Sequence, residues 1–88
     1  MDETITLKLD KNDLILSEDF FNGDKPYLQK KYFYIDSFVT EIQILDVINN
    51  KKSFEIFNYN KYNELQEIKI IDENKNEIER TKYEKTLL

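Results

Sequence analysis

The sequence contains no cysteine and no histidine, and it has a single glycine and a single proline. The chain therefore has no disulfide, thiolate nucleophile or imidazole base, and it lacks the side chains of ordinary zinc sites. Phosphate-binding loops and dinucleotide fingerprints need several glycines, so one glycine excludes both. Alanine is absent as well, whereas β-branched and aromatic residues are frequent. These absences predict a β-rich protein that holds neither a metal nor a cofactor.

The remaining composition is that of a folded domain. Hydrophobic residues make up 40% of the 88 residues and charged residues 35%, which is too apolar for a disordered chain. We expect one domain spanning residues 1–88. The beginning of the chain, MDETITLKLD, is acidic rather than a signal peptide, and no apolar run approaches the ~18 residues of a membrane span. The predicted location is the cytoplasm, including a host's cytoplasm if a phage encodes the chain.

Apolar and polar residues alternate along most of the chain, as they do in half-buried strands. Residues 4–16 form a predicted hairpin, and Asn22-Gly23 followed by Pro26 predicts a turn into an edge strand at 30–35. Further strands are predicted at 53–59, 65–71 and 78–83. We find no internal repeat. The pattern predicts an all-β fold, a small sandwich or barrel of six or seven antiparallel strands.

Two segments are ambiguous. Residues 17–21, SEDFF, resemble one helical turn capped by Ser17. Residues 37–48 fit a strand whose apolar phase slips at Ile44 and Leu45, which a β-bulge there would explain. The alternative is a helix at 37–49, which would make the fold α+β.

The alternation also predicts which side chains form the core. Ile42 and Phe54 are expected to face inward together, so alanine at either position would cost about 2–5 kcal/mol. Phe33 and Ile35 are likewise expected in the core, and the neighbouring tyrosines are expected to cover it with their hydroxyls in water.

Sites for catalysis are not apparent. Asp72, Asn74 and Asn76 match the first positions of a calcium-binding loop, but Glu77 stands where that loop needs glycine, and Tyr83 where it needs glutamate. The segment is interpreted as a polar hairpin turn. No residue can be nominated as a catalytic acid or base, and we expect that the protein is not an enzyme.

Charge is concentrated near the beginning of the chain. Residues 1–24 carry seven acids and two lysines, so their net charge of −5 equals that of the whole chain. Such charge is usually solvated and keeps a β protein soluble. The functional interpretation is a non-catalytic protein-binding surface that meets a basic partner, as in a small phage or mobile-element inhibitor that blocks the nucleic-acid groove of a host defence protein. The residues of that predicted surface are Asp10, Asp13, Glu18, Asp19 and Asp24.

Two other functions remain open. A structural subunit, for example of a virion, would pair through a strand edge. A binder of single-stranded nucleic acid would use a patch of aromatic and basic residues, although the overall negative charge opposes direct binding of a polyanion. The residues of that alternative interface are Tyr27, Lys30, Lys31, Tyr32 and Tyr34.

Overall fold

A computed structural model, which describes residues 2–85, shows an antiparallel meander of seven strands in one sheet. The strands are β1 (Glu3–Leu9), β2 (Ile15–Asn22), β3 (Lys25–Ile35), β4 (Phe38–Asp46), β5 (Lys51–Tyr59), β6 (Leu65–Asp72) and β7 (Glu77–Lys82). Each strand pairs with the next one along the chain, and none of residues 2–85 is helical. The predicted all-β class is confirmed, and so is the number of strands.

The sheet is open and one layer thick. β1 and β7 are its edges and do not pair with each other. Between residues 2 and 85 no side chain is fully buried. The radius of gyration is 15.3 Å, whereas a compact domain of this length has about 12 Å. The second layer of a sandwich is therefore not part of the described structure, and both faces of the sheet are open to solvent.

Two of the hairpins have two-residue turns that need a left-handed backbone. Gly23 has φ of 65° in the turn between β2 and β3. Asp36 and Ser37 have φ of 50° and 70° in the turn between β3 and β4, which is the pattern of a type I′ turn. These tight turns fix the register of the strands on either side of them.

Three longer turns share one design, which is a recurrence that sequence analysis missed. A side-chain oxygen of Asp10 accepts hydrogen bonds from the backbone N–H groups of Asn12 and Leu14. In their own turns, Asn60 and Asp72 likewise accept hydrogen bonds from the backbone N–H groups of the residues two and four positions later. In each turn a left-handed residue lies three positions after the Asp or Asn. The polar turn residues therefore hold the hairpins closed.

The predicted helical turn at 17–21 is wrong, because these residues lie within β2. Ser17 and Asp19 are directly opposite Lys31 and Gln29 of β3, which is strand geometry throughout. Local capping signals were outweighed by pairing with strands on both sides.

Residues 37–49 contain a strand, β4, so the helical alternative is also wrong. The predicted bulge lies elsewhere. The register shifts at Thr40, since Phe33 pairs with Glu41 and Tyr34 pairs with Val39. Pairing is regular at Ile44 and Leu45, which point to opposite faces. No phase slip is needed there, because both faces of a single-layered sheet can carry apolar side chains.

The predicted edge strand at 30–35 is an interior one, since β3 lies between β2 and β4. Pro26 is tolerated because pairing with β4 begins only at Leu28. On its other side Pro26 is opposite Phe21, where the register of β2 and β3 shifts. The proline therefore stands at an irregular end of the ladder, where it interrupts little pairing.

The expected common core is wrong as well. Ile42 is directly opposite Glu55, whereas Phe54 is opposite Gln43, so Ile42 and Phe54 lie on opposite faces. Both are only partly buried. Phe33 and Ile35 are 43% and 66% exposed, so neither is a core residue.

Two turn carboxylates make the stability of the fold depend on pH. Hydrogen bonds from the Asn76 backbone lower the pKa of Asp72, and those from the Asn49 side chain and backbone lower the pKa of Asp46. Their ionised forms therefore stabilise the folded state above the ordinary carboxyl pKa of about 4, and this contribution is lost as the pH falls through the lowered values. We expect the urea midpoint to fall on acidification.

The Asp72→Asn variant should show a weaker dependence of the urea midpoint on pH in this acidic range. Glu73→Gln is the matched control, because it removes a charge from the same turn without removing a hydrogen bond of the described structure. An Asp72→Asn variant with the pH dependence of the parent would contradict the assigned role of Asp72.

Candidate functional site

One face of the sheet carries more of the large apolar side chains than the other. Directly opposed residues of neighbouring strands point to the same side, so this face can be followed from Tyr32 through Ile42 and Glu55 to Ile70. We call it the apolar face. Its aliphatic and phenylalanine members are Ile5, Leu7, Phe20, Leu28, Ile42, Ile44, Phe57, Ile68 and Ile70.

Side chains of the apolar face are shielded only by their neighbours in the same sheet. Those on the interior strands are half-buried, and Ile5 and Leu7 at the β1 edge are 47% and 48% exposed. No other element of residues 2–85 packs over them, because every element contact joins adjacent strands. A contiguous apolar surface of this kind is typical of an interaction site.

Charged side chains also lie among the apolar ones on the interior strands of this face. The Tyr32 hydroxyl donates a hydrogen bond to the Glu18 carboxylate, and the Lys30 ammonium lies 5.5 Å from the centre of the Phe20 ring. Glu55 is different. It is half-buried between its cross-strand neighbours Ile42 and Ile70, and its carboxylate has no hydrogen bond or ion pair within the described residues.

The opposite face, which we call the mixed face, has fewer apolar side chains and more basic ones. Its apolar residues include Phe21, Phe33, Leu45, Phe54, Ile56 and Ile71. Its bases outnumber its acids: the bases are Lys8, Lys31, Lys52, Lys69, Arg80 and Lys82, and the acids are Asp19, Glu41, Glu67 and Glu77. The two faces of this acidic protein therefore differ in both polarity and charge.

The five acids predicted to form one surface are not brought together. Asp10 and Asp13 lie in the turn between β1 and β2, and Asp24 lies in the turn at the other end of β2. Glu18 is on the apolar face and Asp19 on the mixed face. The hairpin separates residues that are close in sequence. Of the five, only Glu18 lies on the apolar face.

The predicted patch of tyrosines and lysines is also divided. Lys31 is on the mixed face, whereas Lys30, Tyr32 and Tyr34 are on the apolar face. The rings of Tyr32 and Tyr34 stack at 6.4 Å, and the Tyr34 hydroxyl donates to the backbone carbonyl of Ile15. Their hydroxyls are thus engaged inside the sheet rather than in water, contrary to expectation.

The environments of these tyrosines are acidic. Burial, followed by the hydrogen bond to Glu18, raises the pKa of Tyr32 well above its ordinary value. Burial and the nearby Asp10 and Glu18 raise the pKa of Tyr34. Carboxylates beside these rings repel the phosphates of a polyanion.

Glu55 was missed by sequence analysis. In the sequence it stands between Phe54 and Ile56 and looks like the exposed position of an alternating strand. Its apolar neighbours come from β4 and β6, so only the cross-strand register reveals them. No local signal could have identified it.

Other kinds of site have little support in the described part of the chain. Residues 2–85 contain no cluster of three or more acids that could hold a metal ion. The concavities are open, and one of them is lined by Glu3, Tyr27 and Ile48 with their neighbours at the beginning of β3. Within the same residues there is no helix that is long and apolar enough to cross a membrane.

The chain was compared with models of protein families, with curated proteins and with solved structures. None of the three comparisons found a match.

Proposed function

We propose that this chain is a non-catalytic protein-binding domain that uses its apolar face. The observation that carries the proposal is a broad apolar surface that no element of residues 2–85 covers. Removing that surface from water is favourable, at about 25 cal/mol for each Å². The sheet spans 49 by 34 Å in its two longest dimensions. The area of one face is therefore larger than the roughly 800 Å² that each partner contributes to a standard interface.

The charges on this face indicate the chemistry of the partner. Glu55 and Glu18 place carboxylates among apolar side chains, and the net charge of the chain is −5. Covering Glu55 without a cation would leave a buried charge unpaired, which is costly. The partner surface therefore carries apolar residues with at least one lysine or arginine that reaches Glu55.

One specific form of this function is a phage or mobile-element inhibitor that occupies the basic nucleic-acid groove of a host defence protein. The net negative charge supports this form, because complementary fields speed association. The acids that would face the groove then include Glu18 and Glu55 of the apolar face, rather than the acids of the first two turns.

The proposal is tested by a matched pair of double variants. Ile44→Thr with Ile70→Thr makes the apolar face more polar, whereas Ile56→Thr with Ile71→Thr makes the same change on the mixed face. Threonine keeps the β-branch, so the strands should persist. For a partner captured by the parent chain from its source cells and then purified, calorimetry should show that the first variant loses at least about tenfold in affinity. Equal losses in the two variants, with both folded, would reject the apolar face as the site.

The role of Glu55 has its own test. Glu55→Gln keeps the size of the side chain and removes its charge, so binding to the same purified partner should weaken by about tenfold or more. Glu41→Gln on the mixed face is the matched control and should bind like the parent. If Glu55→Gln binds as tightly as the parent, the partner has no cation at this position.

A further inference from the structure

The two edges of the sheet differ in how open they are to pairing. β7, EIERTK, carries Glu77, Glu79, Arg80 and Lys82 in six residues, and charged side chains on an edge discourage pairing. β1, ETITLKL, carries only Glu3 and Lys8 in seven residues. The β1 edge is thus the one prepared to accept another strand.

The backbone groups that β1 offers can be identified. The carbonyl of Asp2 accepts a hydrogen bond from the N–H of Gly23, so Asp2 points toward β2. Backbone groups alternate in direction along a strand. Thr4 and Thr6 therefore also bond to β2, whereas the N–H and C=O groups of Glu3, Ile5 and Leu7 point outward from the sheet.

We propose that β1 pairs antiparallel with β1 of a second copy of the chain, about a two-fold axis at Ile5. This register places Ile5 opposite Ile5, Glu3 opposite Leu7, and Asp2 opposite Lys8. All the outward-pointing backbone groups then face one another. The apolar faces of the two copies lie on the same side, so the junction joins them into one continuous surface.

The charges of β1 favour this register, and they favour a second copy of the chain as the pairing partner. Asp2 and Lys8 share a face and lie at equal distances from Ile5 along the chain, so the strand is complementary to itself. A register centred on Thr6 would place Asp2 opposite Asp10, which repels, and one centred on Thr4 would separate Asp2 from Lys8. A shift by a single residue would set apolar-face side chains against mixed-face ones.

The experiment is a charge exchange, measured by analytical ultracentrifugation of the purified chain over a range of concentrations. The parent should show a monomer–dimer equilibrium. Lys8→Asp and Asp2→Lys should each raise the dimer dissociation constant at least about tenfold, because like charges then face each other. The double exchange, Asp2→Lys with Lys8→Asp, should restore the dissociation constant of the parent. Lys82→Asp on β7 is the control and should leave dimerisation unchanged.

Hydrogen exchange supplies a measurement that does not depend on charge. The amides of Ile5 and Leu7 should become protected as the concentration of the parent rises, whereas those of Thr4 and Thr6 should be protected throughout. A parent that is monomeric at all concentrations, or a dimer that Lys8→Asp leaves intact, would overturn the proposal. A dimer lost only in the Ile44→Thr and Ile70→Thr variant would show that copies pair through their apolar faces instead.

Discussion

Replacing Gln43 with proline should leave the chain unfolded at 25 °C. Gln43 lies in the middle of β4, directly opposite Lys31 of β3 on one side and Phe54 of β5 on the other. Proline has no N–H to donate and is almost never found in a central strand. In this antiparallel meander the first three strands connect to the last three only through β4. Loss of pairing at β4 should therefore destabilise the whole sheet.

The size of the effect depends on how little stability the fold can hold. Domains are stabilised by roughly 0.05–0.15 kcal/mol per residue, and a sheet without a fully buried side chain belongs at the lower end of that range. For 88 residues that lower end is about 4 kcal/mol, and loss of central ladder pairing with the strain of the fixed proline φ should cost at least about that much. Far-UV circular dichroism should therefore show an unfolded chain.

Lys82→Pro is the control for this prediction. Tyr83 donates its N–H to Gln66 of β6, so the alternation of the strand turns the N–H of Lys82 outward, where no ladder bond is lost. This variant should fold with a modest loss of stability. A folded Gln43→Pro variant would show that β3 and β5 do not depend on β4 to be held together.

The Ile42→Ala and Phe54→Ala changes should act independently, and together they should remove most of the stability of the fold. Full burial would make each cost about 2–5 kcal/mol. Because both side chains are only half-buried, we expect about 1–2.5 kcal/mol for each. The double variant should lose the sum, measured from urea unfolding curves, within about 0.5 kcal/mol.

Additivity is the informative part of this result. Ile42 and Phe54 are in adjacent strands but point to opposite faces, so they share no packing neighbours. If they packed together in one core between two layers, the second change would cost much less or much more than the first. A coupling above about 1 kcal/mol would therefore contradict the register of β4 and β5 that puts them on opposite faces.

Most of the strands could be predicted from the sequence, because alternation and turn residues are local signals. β1, β5 and the last hairpin lie close to their predicted positions, whereas β2 extends well beyond the predicted end of the first hairpin at residue 16. Residues 17–21 failed because capping residues also occur in strands, and only pairing on both sides of β2 decides between the two. Pro26 suggested an edge strand, but it lies just before the part of β3 that pairs on both sides and does not constrain that part.

The single layer could not be predicted. Alternating residues show that a strand has two different faces, but they do not show whether another layer covers either face. Ile42 and Phe54 were assigned to one core because both are apolar and both lie in alternating strands. Their faces are set by the register between β4 and β5, which the turn between those strands fixes.

The candidate site was predicted only in part. The sequence shows the imbalance of charge and indicates a basic partner, but it groups acids only by their positions in the chain. In the structure Glu18 lies on the apolar face, whereas the other four acids lie in turns or on the mixed face. Glu55 carries the proposed contact because Ile42 and Ile70 of the neighbouring strands surround its carboxylate with apolar side chains.

Small-angle X-ray scattering tests the open, single-layered sheet most directly. The Lys8→Asp variant should be measured over a dilution series, so that pairing of copies does not contribute to the scattering. The Cα atoms alone have a radius of gyration of 15.3 Å and a longest extent of 49 Å, so we expect scattering values at least this large. A radius near the 12 Å or so of a compact domain of this length would mean that the strands fold into two packed layers, and the apolar face would then be a core rather than a binding surface.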